Sequence, residues 1–254
     1  MCGRYTITRQ EGLIEEMEAV LDGKVEANEW WKPRFNVAPT QDAPVVTLKD
    51  GVRTIEMMRW GLVPFWAAKP GAAKPPLMIN ARIESVESKR MFRDLLERKR
   101  CLVPADGFYE WKKISSKQKQ PMFIHPGDHR FFAFAGLWAR AKLPTGELHS
   151  FTIITGPPND LVKPIHDRMP VVLDRSVWSA WLDPSLDAEG ARALLTVPPV
   201  ADWQADPVSK WVNVADHDDP QCVAPVAEET AEPDEKKPKA KKKKSSGGQG
   251  SLFD

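Results

Sequence analysis

Eight short runs of apolar, β-branched and aromatic residues constrain this chain most: Ala43–Leu48, Thr54–Trp60, Cys101–Val103, Gly107–Lys113, Met122–His125, Phe131–Trp138, Phe151–Thr155 and Val171–Leu173. Their length and composition predict strands. Helical periodicity is confined to Gln10–Leu21, with Leu13, Ile14, Met17, Val20 and Leu21 on one face, to Ser88–Arg98, with Met91, Phe92, Leu95 and Leu96 inward, and to the shorter Ser176–Leu182 and Asp187–Leu195. Strands and helices do not alternate as βαβ units. The order argues against a doubly wound parallel sheet. It predicts an α+β fold, one domain around an antiparallel, barrel-like sheet with flanking helices.

The composition breaks sharply near residue 225. Residues 226–254 hold seven lysines and six acidic residues, gathered into an acidic block (Glu228–Glu235), a basic block (Lys236–Lys244) and a Ser/Gly stretch. Such a segment cannot bury a core, so the domain is expected over 1–225 and a disordered tail over 226–254. No apolar run approaches the roughly 18 residues of a membrane span, and Glu15, Glu16 and Glu18 interrupt any signal-peptide core. The expectation is a cytoplasmic, nucleoid-associated monomer with no membrane contact. Three dispersed cysteines predict no disulfide framework. His125 and His129 are separated by Pro126-Gly127, which argues for a turn over a metal-binding helix face, so no metal and no cofactor are expected. The net charge of +1 means that any nucleic-acid surface must be local. Arg90–Arg100 and Lys112–Lys119 are the candidates; ordinary solvated surface is the alternative.

The chain opens Met1-Cys2-Gly3-Arg4. A small second residue favours removal of Met1, which leaves an N-terminal cysteine: a thiol and an α-amine on adjacent carbons. The amine, with an ordinary pKa of about 7.7–8.0, can attack an aldehyde. The thiol can then close onto the imine carbon as a thiazolidine. Alternatively the thiol attacks an amide or ester with the amine as base. A small buried core cysteine is the third reading.

Six other polar residues, in four segments, stand in apolar or turn contexts. Asn36 lies in Arg34–Thr40. Asn80, Arg82 and Glu84 alternate in Met78–Glu84, which would put them on one face of an extended segment. Glu110, flanked by Tyr109 and Trp111, is a candidate for a raised pKa. His166 sits in Lys163–Pro170 and can move a proton near neutrality. Each has a structural alternative: a turn bond for Asn36, the solvent face of a strand for Asn80–Glu84, an outward strand position for Glu110, and a cap for His166.

Together these segments resemble the SOS response-associated peptidase (SRAP) family, which captures abasic sites in single-stranded DNA. The resemblance is carried by Met1–Arg4, Asn36–Pro39, Trp60–Pro64, Ile79–Glu84, Cys101–Trp111 and Ile165–Pro170, with weaker similarity from Pro207 to Asn213. The stretch Phe65–Lys74 departs from it, being looser than a compact Trp-rich turn. The resemblance implies a covalent thiazolidine between Cys2 and the opened sugar, with weak abasic-site lyase activity. It implies catalytic roles for Cys2, Asn80, Glu110 and His166. DNA contacts are implied at Arg4 and Arg82 (phosphates), Asn36, Pro39 and Thr40 (a wedge), Trp66 and Trp111 (stacking) and Thr155 (near the lesion). The terminal Gln249-Gly250-Ser251-Leu252-Phe253 resembles the peptide that docks into the bacterial sliding clamp, with Gln249, Leu252 and Phe253 as its contacts. An N-terminal-nucleophile peptidase or glutamine amidotransferase using Cys2 is the alternative function, and a non-catalytic single-strand-binding module the third.

Overall fold

The computed structural model describes residues 2–9, 12–23, 32–68, 77–196 and 202–228. In chain order the elements are β1 (Tyr5–Ile7), α1 (Leu13–Met17), β2 (Val20–Leu21), β3 (Arg34–Val37), β4 (Asp42–Lys49), β5 (Val52–Trp60), β6 (Asn80–Arg82), α2 (Arg90–Arg98), β7 (Arg100–Ala105), β8 (Gly107–Lys113), β9 (Lys119–Pro126), β10 (Phe132–Leu143), β11 (Gly146–Gly156), β12 (Met169–Pro170), β13 (Val172–Leu173), α3 (Trp178–Leu182), α4 (Ala188–Ala193) and β14 (Trp203–Pro207).

Strands β5, β4, β7, β10 and β11 pair successively, and a parallel pairing of β11 with β5 (Phe151 opposite Trp60) closes the ring. The predicted barrel-like α+β architecture is therefore present, though parallel contacts complete it. Closure pairs β5 with β11, the two strands of this run whose edges would otherwise stay open. A second sheet, in the order β14-β9-β8-β1-β3, lies beside the ring. Aromatic side chains join the two: Tyr5 meets Trp60 edge-on at 5.2 Å and Phe134 at 5.9 Å, and Phe108 meets Phe134 at 5.9 Å. Their fully buried rings dominate the core through the apolar area they remove from water.

Three expectations need correction. The helix expected over Gln10–Leu21 is only Leu13–Met17 among the described residues; Glu18 turns left-handed (φ 51°), and Val20–Leu21 pairs in parallel with β5. Sheet pairing wins over an apolar periodicity that Val20, half exposed, does not complete. Arg100, counted in a candidate basic face, is buried: its guanidinium donates to the carbonyls of Trp181, Leu96, Glu97 and Asp183, closing the C-terminal ends of α2 and α3. Glu84 lies beyond the end of β6, in a turn, so it does not continue the Asn80–Arg82 face.

Candidate active site at the start of the chain

Strand β1 brings the chain start into the body of the protein. It pairs with β8 (Tyr5 opposite Phe108, Thr6 opposite Gly107), and the Tyr109 amide donates to the Arg4 carbonyl at 3.1 Å. Continued toward the terminus, this antiparallel register lays Gly3 and Cys2 alongside Glu110 and Trp111. Glycine at 107 lets both neighbouring strands close in: a Cβ there would stand 2.2 Å from the Phe123 ring of β9 and 3.0 Å from the Thr6 hydroxyl of β1. Asp106 pins the strand's other end. Its carboxylate accepts from the Thr6 hydroxyl and from the Thr8 amide (2.6 Å) and hydroxyl (2.7 Å). Sequence reasoning missed Asp106, although it stands four residues before Glu110 in the same segment.

Three other elements meet this start. Trp60 donates its indole N–H to the Ile79 carbonyl at 3.0 Å, and β6 runs parallel to β11 with Asn80 opposite Ile153. Asn80 is thus held so that its Nδ2 donates to the Cys2 carbonyl at 2.9 Å. Its Oδ1 is buried with no hydrogen-bond partner among the described residues, an acceptor kept in reserve. His166 lies between β11 and β12, its Nε2 3.9 Å from Glu110 Oε2. The Arg168 amide donates to His166 Nδ1 at 3.1 Å, and Asp167 Oδ1 lies 2.9 Å from the same nitrogen. The amide requires a lone pair on Nδ1 and the carboxylate a proton, so these partners favour different protonation states of the ring.

The electrostatics are those of a dry site. Burial pushes the Glu110 carboxyl up to about 7, against the positive amino terminus, which pulls it down. Glu110 is therefore divided between acid and carboxylate near neutrality. In the chain that still carries Met1, Cys2 is fully buried, and burial followed by the charge of Glu110 drives its thiol far above the ordinary range. The resting sulfur is a thiol, not a thiolate. Burial, followed by the amino terminus, lowers His166, so the imidazole is neutral at pH 7. Among the described residues no three His, Cys, Asp or Glu side chains converge to hold a metal.

The remaining expected site residues divide. Arg4 Nη1 donates to Asn36 Oδ1 (3.0 Å) and the Val212 carbonyl (2.6 Å), so much of its donor capacity is spent inside the protein. Asn36, expected to touch DNA, is fully buried; its amide donates to the carbonyls of Val212, Val214 and His217. It ties β3 to the segment 209–218 and offers nothing to a ligand. Thr155, expected near the lesion, is also buried, and its carbonyl accepts from Arg168 Nη2 at 2.6 Å. Beside it lies Arg168, which sequence reasoning left without a role; its side chain is mostly buried, and both its Nη atoms bond Glu84. Arg82 is exposed at the end of β6. Pro39 and Thr40 form a tight turn, with Thr40 left-handed (φ 75°) and its amide donating to the Trp60 carbonyl at 2.8 Å. Trp66 is 37% exposed on a short 3-10 turn, Phe65–Ala68. Trp111 is half-buried, its Nε1 donating to Asn213 Oδ1 at 2.7 Å. Gln249, Leu252 and Phe253 lie outside the described residues.

Comparison with known proteins places this arrangement. The sequence profile of the family described as SOS response associated peptidase (SRAP) matches residues 1–215. Abasic site processing protein YoqW of Bacillus subtilis (strain 168) is 38% identical over 226 residues, covering 88% of this chain and 99% of its own. Abasic site processing protein HMCES of Gallus gallus is 31% identical over 264 residues, covering 89% of this chain and 78% of its own. A crystal structure of a Bacteroides thetaiotaomicron protein aligns over 89% of this chain and 100% of its own, with a TM-score of 0.78 and 26% identity.

Proposed function

Because the chain belongs to the SOS response associated peptidase (SRAP) family, we propose that it processes abasic sites in DNA, capturing the opened sugar as a thiazolidine through Cys2 once Met1 is removed. The observation that carries this reading is the grouping of three distant segments at the chain start: Asn80 bonds the Cys2 carbonyl, the Glu110 charge acts on the Cys2 thiol, and His166 lies 3.9 Å from Glu110. The relatives' names, abasic site processing proteins, supply the substrate class.

An abasic deoxyribose opens to a C1′ aldehyde. The α-amine attacks it, forming a C1′–N bond and the precursor of the imine onto which sulfur closes. Loss of water, with a proton delivered to the leaving hydroxyl, gives the imine. Glu110, with its carboxyl near 7, can both take a proton from the amine and return one to the hydroxyl. Sulfur then adds to C1′ and its proton passes to nitrogen, Glu110 carrying it. The net change is one water lost. Asn80 fixes the Cys2 carbonyl and offers Oδ1 to a sugar hydroxyl or to the amine. Neutral His166 handles the proton of the ring-opening oxygen.

The same imine acidifies the C2′ proton, so β-elimination, with Glu110 as base, is the side reaction; ring closure by sulfur removes the imine and suppresses it. The strand bound is single-stranded DNA, and the reaction serves to shield the lesion from breakage.

The reading is tested by mixing the chain lacking Met1 with a single-stranded oligonucleotide carrying one abasic residue, with no reducing agent, and measuring intact mass. The expected product has the mass of protein plus DNA less one water and survives heating in denaturant. Its absence rejects the proposal.

A further inference from the structure

The β8–β9 hairpin carries a cluster of positive charge that the chemistry above does not use. Lys113 and Lys119 are directly opposite each other in the antiparallel register. Like charges in facing positions repel. Lys117 lies in the connecting turn, and Lys210 on the facing segment. These four lysines line an open groove of about 690 Å³ that ends at Trp111 and Asn213. Among the described residues no carboxylate lines it. Neighbouring Lys112 is ion-paired with Glu228, whereas Lys113, Lys117 and Lys119 have no ion-pair partner among the described residues.

The groove adjoins the strand that carries Glu110. Trp111 follows Glu110 on β8, and Asn213 holds its indole at the groove's end. The Lys119 charge is felt at both Glu110 and His166. A repelling lysine cluster beside a site for a polyanion's sugar is relieved when a phosphate enters.

We propose that this groove binds the phosphate backbone of the single strand on one side of the abasic residue, with the Trp111 indole as the step between the captured sugar and the lysine track. This rests on the abasic-site reading above and adds to it a directional subsite. A groove on one face of the sugar can take only the 5′ or the 3′ flank.

The test uses the full chain and its Lys113→Gln/Lys117→Gln variant, which spares Lys119 because its charge reaches Glu110. Cross-linking is followed against DNA concentration and salt. The short single-stranded oligonucleotides carry the abasic residue at the centre, the 5′ end or the 3′ end. The expected result is a several-fold rise in half-saturating concentration for the central lesion and for one end-placed lesion only. The slope of log affinity against log salt should fall by about 1.4, at ~0.7 for each single-strand phosphate that the variant no longer neutralises. An unchanged slope, or equal losses for both end-placed lesions, overturns the proposal. So does a variant that binds DNA more tightly than the parent only while residues 229–254 are present, which would make the chain's own acidic block the occupant. If the parent chain forms no adduct at all, the abasic-site reading fails; if the parent cross-links and the variant matches it throughout, the groove alone fails.

Discussion

Two asparagines stand on either side of the same N-terminal strand, and they are used in opposite ways. Asn36 is saturated: its oxygen accepts from Arg4 and its amide faces three carbonyls of the segment 212–217. Around it, Asp218 accepts from the amides of Phe35 and Asn36 and pairs with Arg34. Among the described residues the Asn80 side chain makes one bond, to the Cys2 carbonyl, and keeps a buried acceptor unfilled. Burying an unsatisfied polar atom costs roughly 1–3 kcal/mol, an expense that packing alone does not explain. The first region holds the chain start in place. The second retains polar capacity for something not yet bound.

Substitutions can break that contrast, and the largest effect is expected at Glu110. Glu110→Gln keeps the shape and removes the proton carrier, so the cross-linking rate should fall about 10²–10⁴-fold, read from single-turnover time courses. In the parent, the rate should rise with pH through about 7 as Glu110 becomes a carboxylate, and the variant should lose that inflection.

The same group has a stability signature of comparable size. Its folded pKa lies above the ordinary 4.5, so its stabilising contribution is complete below pH 4.5 and is lost as pH rises through about 7. The gap corresponds to roughly 3 kcal/mol. Denaturant titrations should find Glu110→Gln more stable than the parent at pH 8 by an amount of that order, with the advantage gone at pH 4. A constant difference across that range would remove the case for a desolvated carboxyl.

Asn36→Ala should come next, lowering stability by about 1–3 kcal/mol because several buried groups lose their partner, while the folded fraction still cross-links at nearly the parent rate. Asn80→Ala should do the reverse. One hydrogen bond, worth about 0.5–1.5 kcal/mol, disappears together with an unfilled acceptor, so stability barely moves and the rate drops about tenfold. If both asparagines affect rate and stability in the same proportion, the division between wall and site is wrong.

Much of the fold and of the site is legible in the amino-acid order. The strand-forming runs and the short, non-alternating helices follow from local pattern; the parallel β11–β5 pairing that closes the ring does not. Cys2 stands out as an N-terminal aminothiol, and Asn80, Glu110 and His166 as polar residues in apolar or turn contexts; the family resemblance is what implies a shared role for them. The order of residues is less informative where long-range pairing decides. Strand β1 spans only Tyr5–Ile7, and its existence depends on β3 and β8. Val20–Leu21 fits a helical stripe and becomes a strand because β5 offers a parallel edge. Asn36, like Asn80, is a polar residue in an apolar segment, and nothing local reveals that three distant carbonyls consume its amide. Asp106, Arg168 and Asn213 act through partners far away in the chain, so their roles emerge only in three dimensions.

The most direct test compares the chain lacking Met1 with its Cys2→Ala variant on one abasic oligonucleotide, by intact mass, with and without borohydride. The variant keeps an α-amine and loses only the thiol. The account predicts a heat-stable adduct of protein plus DNA less one water for the parent without borohydride. For the variant it predicts no stable adduct, a conjugate only when borohydride traps the imine, and more strand cleavage from the unquenched imine. A heat-stable adduct formed by Cys2→Ala without reductant would contradict it, because the bond would then not need sulfur.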